Sequence, residues 1–120
     1  MYRELAAEQG QEGASEGGKT MLRLPITKKW FEMIESGEKT EEYREIKPYW
    51  RVRFHKAGLC FENGMPKAPA EVVFVNGYGN GRPTIRATVR LSIGEGRPEW
   101  GAEPGVLYYR LAILEKERVR

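Results

Sequence analysis

The sequence predicts an α+β domain: one main helix after a first strand, then a small curled or barrel-like sheet of about five strands. Three observations predict it. Between Lys28 and Ser36, Trp30, Met33 and Ile34 fall at i, i+3 and i+4, the spacing of a helix stripe, and Phe31 widens it. From Glu71 onward the chain reads as strands punctuated by glycine-rich turns. Its 120 residues, 40% hydrophobic and 31% charged, suit a single globular domain.

Residues 1–20 read as a flexible tail, because EQGQEGASEGGKT carries no large apolar side chain, and 21–120 read as the domain. Met21 to Ile26 (MLRLPI) is a short strand with Pro25 at an edge or exit position. Thr27 is placed to cap the helix Lys28 to Ser36, and Gly37 to stop it. Lys39 to Ile46 (KTEEYREI) is charged for a strand, yet the glycine turn before it and Lys47-Pro48 after it indicate extended chain. Pro48 suits the first turn of a short helix or an aromatic loop carrying Tyr49, Trp50, Val52 and Phe54. Ala57 to Ala68 reads mostly as loop, with Leu59-Cys60-Phe61 a candidate short strand. Glu71 to Val75 is a continuous apolar strand of the kind covered on both faces. Two Asn-Gly pairs mark NGYGNGRP as a turn. Thr84 to Ile93 then alternates, with Ile85, Ala87, Val89, Leu91 and Ile93 expected inward and Arg86, Thr88, Arg90 and Ser92 outward. A loop carrying Trp100 leads to a last strand, Val106 to Leu114, followed by the charged stub EKERVR.

Composition excludes several chemistries. No apolar run approaches the ~20 residues of a membrane span, and the polar start MYRELAAEQG does not resemble a secretory leader. One cysteine and one histidine, Cys60 and His55, make neither an internal disulfide nor a usual zinc site, so no metal or cofactor is expected and a reducing, cytoplasmic setting is. All 17 acidic residues are Glu, which rules out an Asp-based triad. No Ser-His pairing is suggested around Ser36 or Ser92, and Gly-Gly-Lys-Thr at 17–20 lacks the first glycine of a phosphate loop. After residue 20 the chain carries 18 basic against 13 acidic side chains, a mild attraction for phosphates.

The stretch with chemical content is Gly37-Glu38-Lys39-Thr40-Glu41-Glu42-Tyr43-Arg44. A strand through it places Thr40, Glu42, Arg44 and Ile46 on one face, so Glu42 can pair with Arg44 and orient it. Strand parity sets Lys39 on the other face unless the Gly37 turn swings it round. If all three meet in a cleft, Lys39 can contact a phosphate or carbonyl, and a lysine held near other cations loses pKa and can serve as a base. The plainer alternative is a cross-strand salt-bridge ladder facing water.

The pattern G-x-K-x-x-E-x-R formed by Gly37, Lys39, Glu42 and Arg44 resembles the signature of the ASCH domains, a branch of the PUA-like superfamily. The element order over roughly 21–114 is similar as well: strand, aromatic-striped helix, motif strand, Pro-aromatic segment, β run. The resemblance implies a PUA-like pseudo-barrel with a cleft floored by Lys39, Glu42 and Arg44, binding RNA or a nucleotide-like ligand. It also implies two enzymatic alternatives, a small amidohydrolase acting on N4-acetylcytidine and a ribonuclease, in which Lys39 and Glu42 would be catalytic. In the amidohydrolase branch the lysine works with a threonine three positions on and with a later glutamate. Here that position holds Glu42, Thr40 sits one residue after the lysine, and Glu95, Glu99 and Glu103 share the loop where the later glutamate would fall.

Other candidates for the ligand or RNA are aromatic or basic. Trp50 and Tyr78 can stack a base, or can serve as a barrel plug and a turn cover. Arg86 and Arg90 share a strand face and, with Arg82 and Arg53, can line a phosphate track.

Overall fold

The computed structural model describes residues 21–120. The expectation of a flexible tail at 1–20 lies outside the described residues. Within them the chain is α+β, a five-stranded curled half-barrel sheet with two helices.

β1 (Leu22–Ile26) alternates buried and half-buried residues, with Leu22, Leu24 and Ile26 turned into the core. α1 (Lys28–Ser36) begins after Thr27, whose extended backbone is that of a cap residue although its hydroxyl makes no capping bond. Gly37 ends it at φ 90°, a left-handed conformation that glycine adopts without Cβ strain. The buried stripe of α1 is Phe31 and Ile34, each worth roughly 1.5–3 kcal/mol of burial. Trp30, expected in that stripe, is only partly covered and turns toward a cleft.

β2 (Glu41–Glu45) is shorter than the expected 39–46. α2 (Pro48–Lys56) settles the Pro48 segment as a helix, with Trp50 and Phe54 buried. Leu59-Cys60-Phe61 forms no strand; Cys60 makes one isolated bridge with Pro66. β3 (Ala70–Asn76) sends Val72 and Phe74 into the core, while Val73 on the other face is half-buried. β4 (Thr84–Glu95) and β5 (Leu107–Arg118), 12 residues each, form the spine of the sheet. β5 continues four residues past Leu114 because EKER pairs with the first turnward residues of β4, Glu117 opposite Arg86 and Arg118 opposite Ile85. Ile93 is 46% exposed rather than inward. The alternation of β4 puts Ile93 on the inner side opposite Tyr109, but Leu91 is the last residue that β4 contributes to the core.

The strand order is β1-β3-β4-β5-β2, with β1 and β3 parallel and every other pair antiparallel. The crossover from β1 to β3 contains α1, β2 and α2, so the two edges of the sheet are its first two strands. A register shift between Thr88 and Val89 bends the β4–β5 spine. The curl brings the edges within side-chain reach: Arg44 of β2 donates from Nη2 to the carbonyl of Pro25 in β1 at 3.4 Å. The curled half-barrel is compatible with the expected pseudo-barrel.

Candidate functional site

The seam between the two edge strands is a cleft of about 580 Å³, in the range of small-molecule sites. Its walls come from β1, the start of α1, β2, α2, the β3–β4 turn, the loop after β4 and the start of β5. All three tryptophans of the chain border it, Trp30, Trp50 and Trp100.

The motif residues converge at the floor of this cleft. Gly37 reverses the chain, and the Lys39 amide donates to Met33 O at 2.9 Å, which pins the residue under the helix before β2 begins at Glu41. That turn brings Lys39 round to the Glu42 side, as strand parity alone would not. Lys39 Nζ lies 3.2 Å from Glu42 Oε1 and donates to the carbonyl of Trp100 at 2.8 Å. The other oxygen of Glu42 accepts from Arg44 Nη1, which also donates to Tyr43 O at 2.9 Å. Relative exposures of 1% for the Lys39 side chain, 7% for Glu42 and 14% for Arg44 exclude a ladder open to water.

The ammonium of Lys39 is enclosed by rings, 4.8 Å from the centroid of Trp30 and 4.9 Å from that of Tyr43. Burial pushes the Lys39 pKa below its ordinary value, and the Glu42 carboxylate opposes that shift. Tyr43 is pushed up to about 12, chiefly by burial, while the Arg97 amide donating to its oxygen acts in the opposite direction.

Glu42 and Arg44 line the cleft, whereas Lys39 is underneath and does not. The expected floor of three side chains is thus a floor of two with a buried cation behind it. Trp50 stacks on Phe54 at 5.6 Å and has the Arg44 guanidinium 5.1 Å from its ring, so it is a core plug and a cleft wall together. Tyr78 borders the cleft from the β3–β4 turn and is exposed.

The other arginines expected at the ligand, Arg53, Arg82, Arg86 and Arg90, are not among the lining residues of the cleft. Arg86 and Arg90 project from the outer face of β4, and Arg86 is paired with Glu117 at 3.3 Å. Arg53 sits on α2, its guanidinium 3.5 Å from the Tyr49 ring, and Arg82 is in the β3–β4 turn with Nε bonded to Asn76 O. The four arginines expected to form one track stand on three separate parts of the fold, Arg53 on α2, Arg82 in the β3–β4 turn and Arg86 and Arg90 at exposed positions of β4.

The walls Trp30, Tyr43, Trp100 and Tyr108 were not expected from the pattern. Trp100 had a signal: a tryptophan in GRPEWGAEPG has no strand to belong to, so its burial must be built from elsewhere. A 3-10 turn, Pro98–Trp100, supplies it, closed by Gly101 at φ 105° against the Trp30 ring.

No group of His, Cys, Asp and Glu among the described residues is arranged to hold a metal ion. None of their helices is long and apolar enough to cross a membrane. No family model, characterised protein or solved structure matches the chain.

Proposed function

We propose that this chain is an ASCH-like domain of PUA-like type that binds a nucleotide-like ligand, free or within RNA, in the cleft between β1 and β2. The observation that carries the reading is the cleft floor: a carboxylate and a guanidinium side by side, held rigid from below and walled by tryptophans. A nucleobase is planar and presents hydrogen-bond donors and acceptors along one edge. Glu42 accepts from an exocyclic amine or ring N–H, Arg44 donates to a carbonyl or ring nitrogen, and an aromatic wall stacks the ring for ~1–3 kcal/mol.

Preorganisation supports the same reading. Both oxygens of Glu42 are already oriented, one by Lys39 and one by Arg44, so binding freezes few rotors. With Arg23, Arg44 and Lys47 at the cleft against Glu42 and Glu45, and Lys39 beneath, the charge leans positive and favours a ligand bearing phosphate. The hydrolase alternatives have less support, because the ammonium of Lys39 is engaged by Trp100 O and Glu42 and is covered from the cleft. Cys60, buried and without a disulfide partner, accords with the cytoplasmic setting of this reading.

Since every tryptophan borders the cleft, intrinsic fluorescence reports its occupancy directly. Titration with nucleosides, nucleotides and short oligoribonucleotides should give saturable quenching that Arg44→Met weakens by tenfold or more. Saturation by none of them, or equal binding by Arg44→Met, refutes the proposal. Chromatography of the same mixtures reads turnover, and a product that Glu42→Gln fails to form would favour the hydrolase.

A further inference from the structure

A second concavity, about 430 Å³, lies on the outer side of the β1 edge. It is lined by Arg23, Arg82 and Arg120 together with Asn80, Gly81 and Thr84, and none of its lining side chains is acidic. Arg23 borders both this pocket and the cleft, so a single side chain is common to the two.

The cations in the pocket are not consumed by neighbouring carboxylates. Glu117 is taken by Arg86, and Glu35 by Arg118. Among the described residues, neither Arg23 nor the guanidinium of Arg120 has an acidic partner, and the side-chain bond of Arg82 runs from Nε to Asn76 O at 2.8 Å. Arg82 folds back over Gly77 so closely that a Cβ there would stand 2.9 Å from Nη2. Its Nε is thus engaged, and its η nitrogens are left to donate.

We infer that this pocket is a phosphate subsite and that the ligand of the cleft is phosphorylated, its phosphate crossing Arg23 to reach Arg82 and Arg120. Three guanidiniums with no acidic side chain among them suit a phosphate oxyanion, which accepts paired N–H donors from the fork of an arginine. The link between the two sites rests on the nucleotide reading of the cleft, whereas the affinity of the pocket for phosphate stands apart from it. The phosphate path thus runs along the β1 edge and the β3–β4 turn, not along the Arg86–Arg90 face of β4.

The test uses the full chain with inorganic pyrophosphate followed by calorimetry, and the four common nucleosides, their monophosphates and triphosphates and a trinucleotide followed by tryptophan fluorescence. Pyrophosphate should bind saturably and more weakly as salt is raised. Arg82→Gln and Arg120→Gln should each weaken it at least about tenfold, the loss of one charge-assisted hydrogen bond. Lys56→Gln, an equal charge change at an exposed position of α2, should leave it unchanged. Nucleosides should quench Arg82→Gln and the parent equally, while phosphorylated ligands lose their advantage in Arg82→Gln. A larger advantage for triphosphates than for the trinucleotide identifies a free nucleotide, and the reverse identifies a strand. Absence of saturable pyrophosphate binding, or an equal loss in Lys56→Gln, overturns the subsite. Nucleosides that fail to quench while pyrophosphate binds overturn the cleft reading alone.

Discussion

Replacing Glu42 by Gln keeps the volume of the side chain and removes its charge, leaving the buried Lys39 ammonium and the Arg44 guanidinium without their shared counter-ion. Breaking a buried pair in this way costs about 3–5 kcal/mol. For a body of this size that is roughly 12–20 °C in Tm. A ceiling follows from the proton. Lys39 can escape the penalty by deprotonating, which at pH 7 costs about 4.8 kcal/mol from an ordinary value of 10.5, and at pH 9 only about 2. The sign is set by burial: the folded pKa of Lys39 is lowered, so between that value and 10.5 the unfolded chain binds more protons and stability rises with pH. Losing the Glu42 carboxylate lowers the folded pKa further and widens that window downward. Denaturant melts at pH 7 and pH 9 on the parent, Glu42→Gln, Lys39→Met and the double variant provide the measurement. Glu42→Gln should be destabilised about 3–5 kcal/mol at pH 7 and markedly less at pH 9, and the double variant should be less destabilised than the sum of the singles. A shift under 1 kcal/mol, or additivity with no pH dependence, would mean that the three charges are solvated and the cleft floor is not preorganised.

Tyr43→Phe removes the hydroxyl that accepts from the Arg97 amide and donates to Glu41, and should cost about 1 kcal/mol near neutrality. Because the Tyr43 pKa is raised to about 12, that contribution is present below pH 10 and fades between pH 10 and 12, and an absorbance titration of the variant should lose its late-ionising phenol. Gly101→Ala places a Cβ 3.0 Å from the Trp30 ring on a residue at φ 105°, and should cost at least about 1–2 kcal/mol while changing the fluorescence of Trp30. Cys60 is fully buried and its thiol is pushed up by that burial, so it should resist a thiol reagent in the native protein and react at the unfolded rate only in denaturant.

Much of the local structure follows from short-range rules that a sequence states openly. The stripe ending in Ile34, the left-handed Gly37, the two Asn-Gly pairs and the alternation from Ile85 to Leu91 each depend on neighbours a few residues away. The pairing of Glu42 with Arg44 was legible for the same reason, since residues two apart share a strand face. The position of Lys39 was not, because it depends on how the Gly37 turn carries the chain beneath α1. Nor was the continuation of β5 to Arg118, as a polar stub becomes a strand only when β4 stands beside it. Ile93 obeyed the alternation and still met water, because burial requires a covering element and the last residue β4 gives to the core is Leu91. The cleft itself belongs to this second class. Trp30, Trp50 and Trp100 come from the two helices and a loop and converge only because the sheet curls until its two edge strands face one another. Periodicity and turn chemistry are properties of the chain read in order; which distant residues share a wall is decided by closure of the sheet, and no spacing in the sequence carries that information.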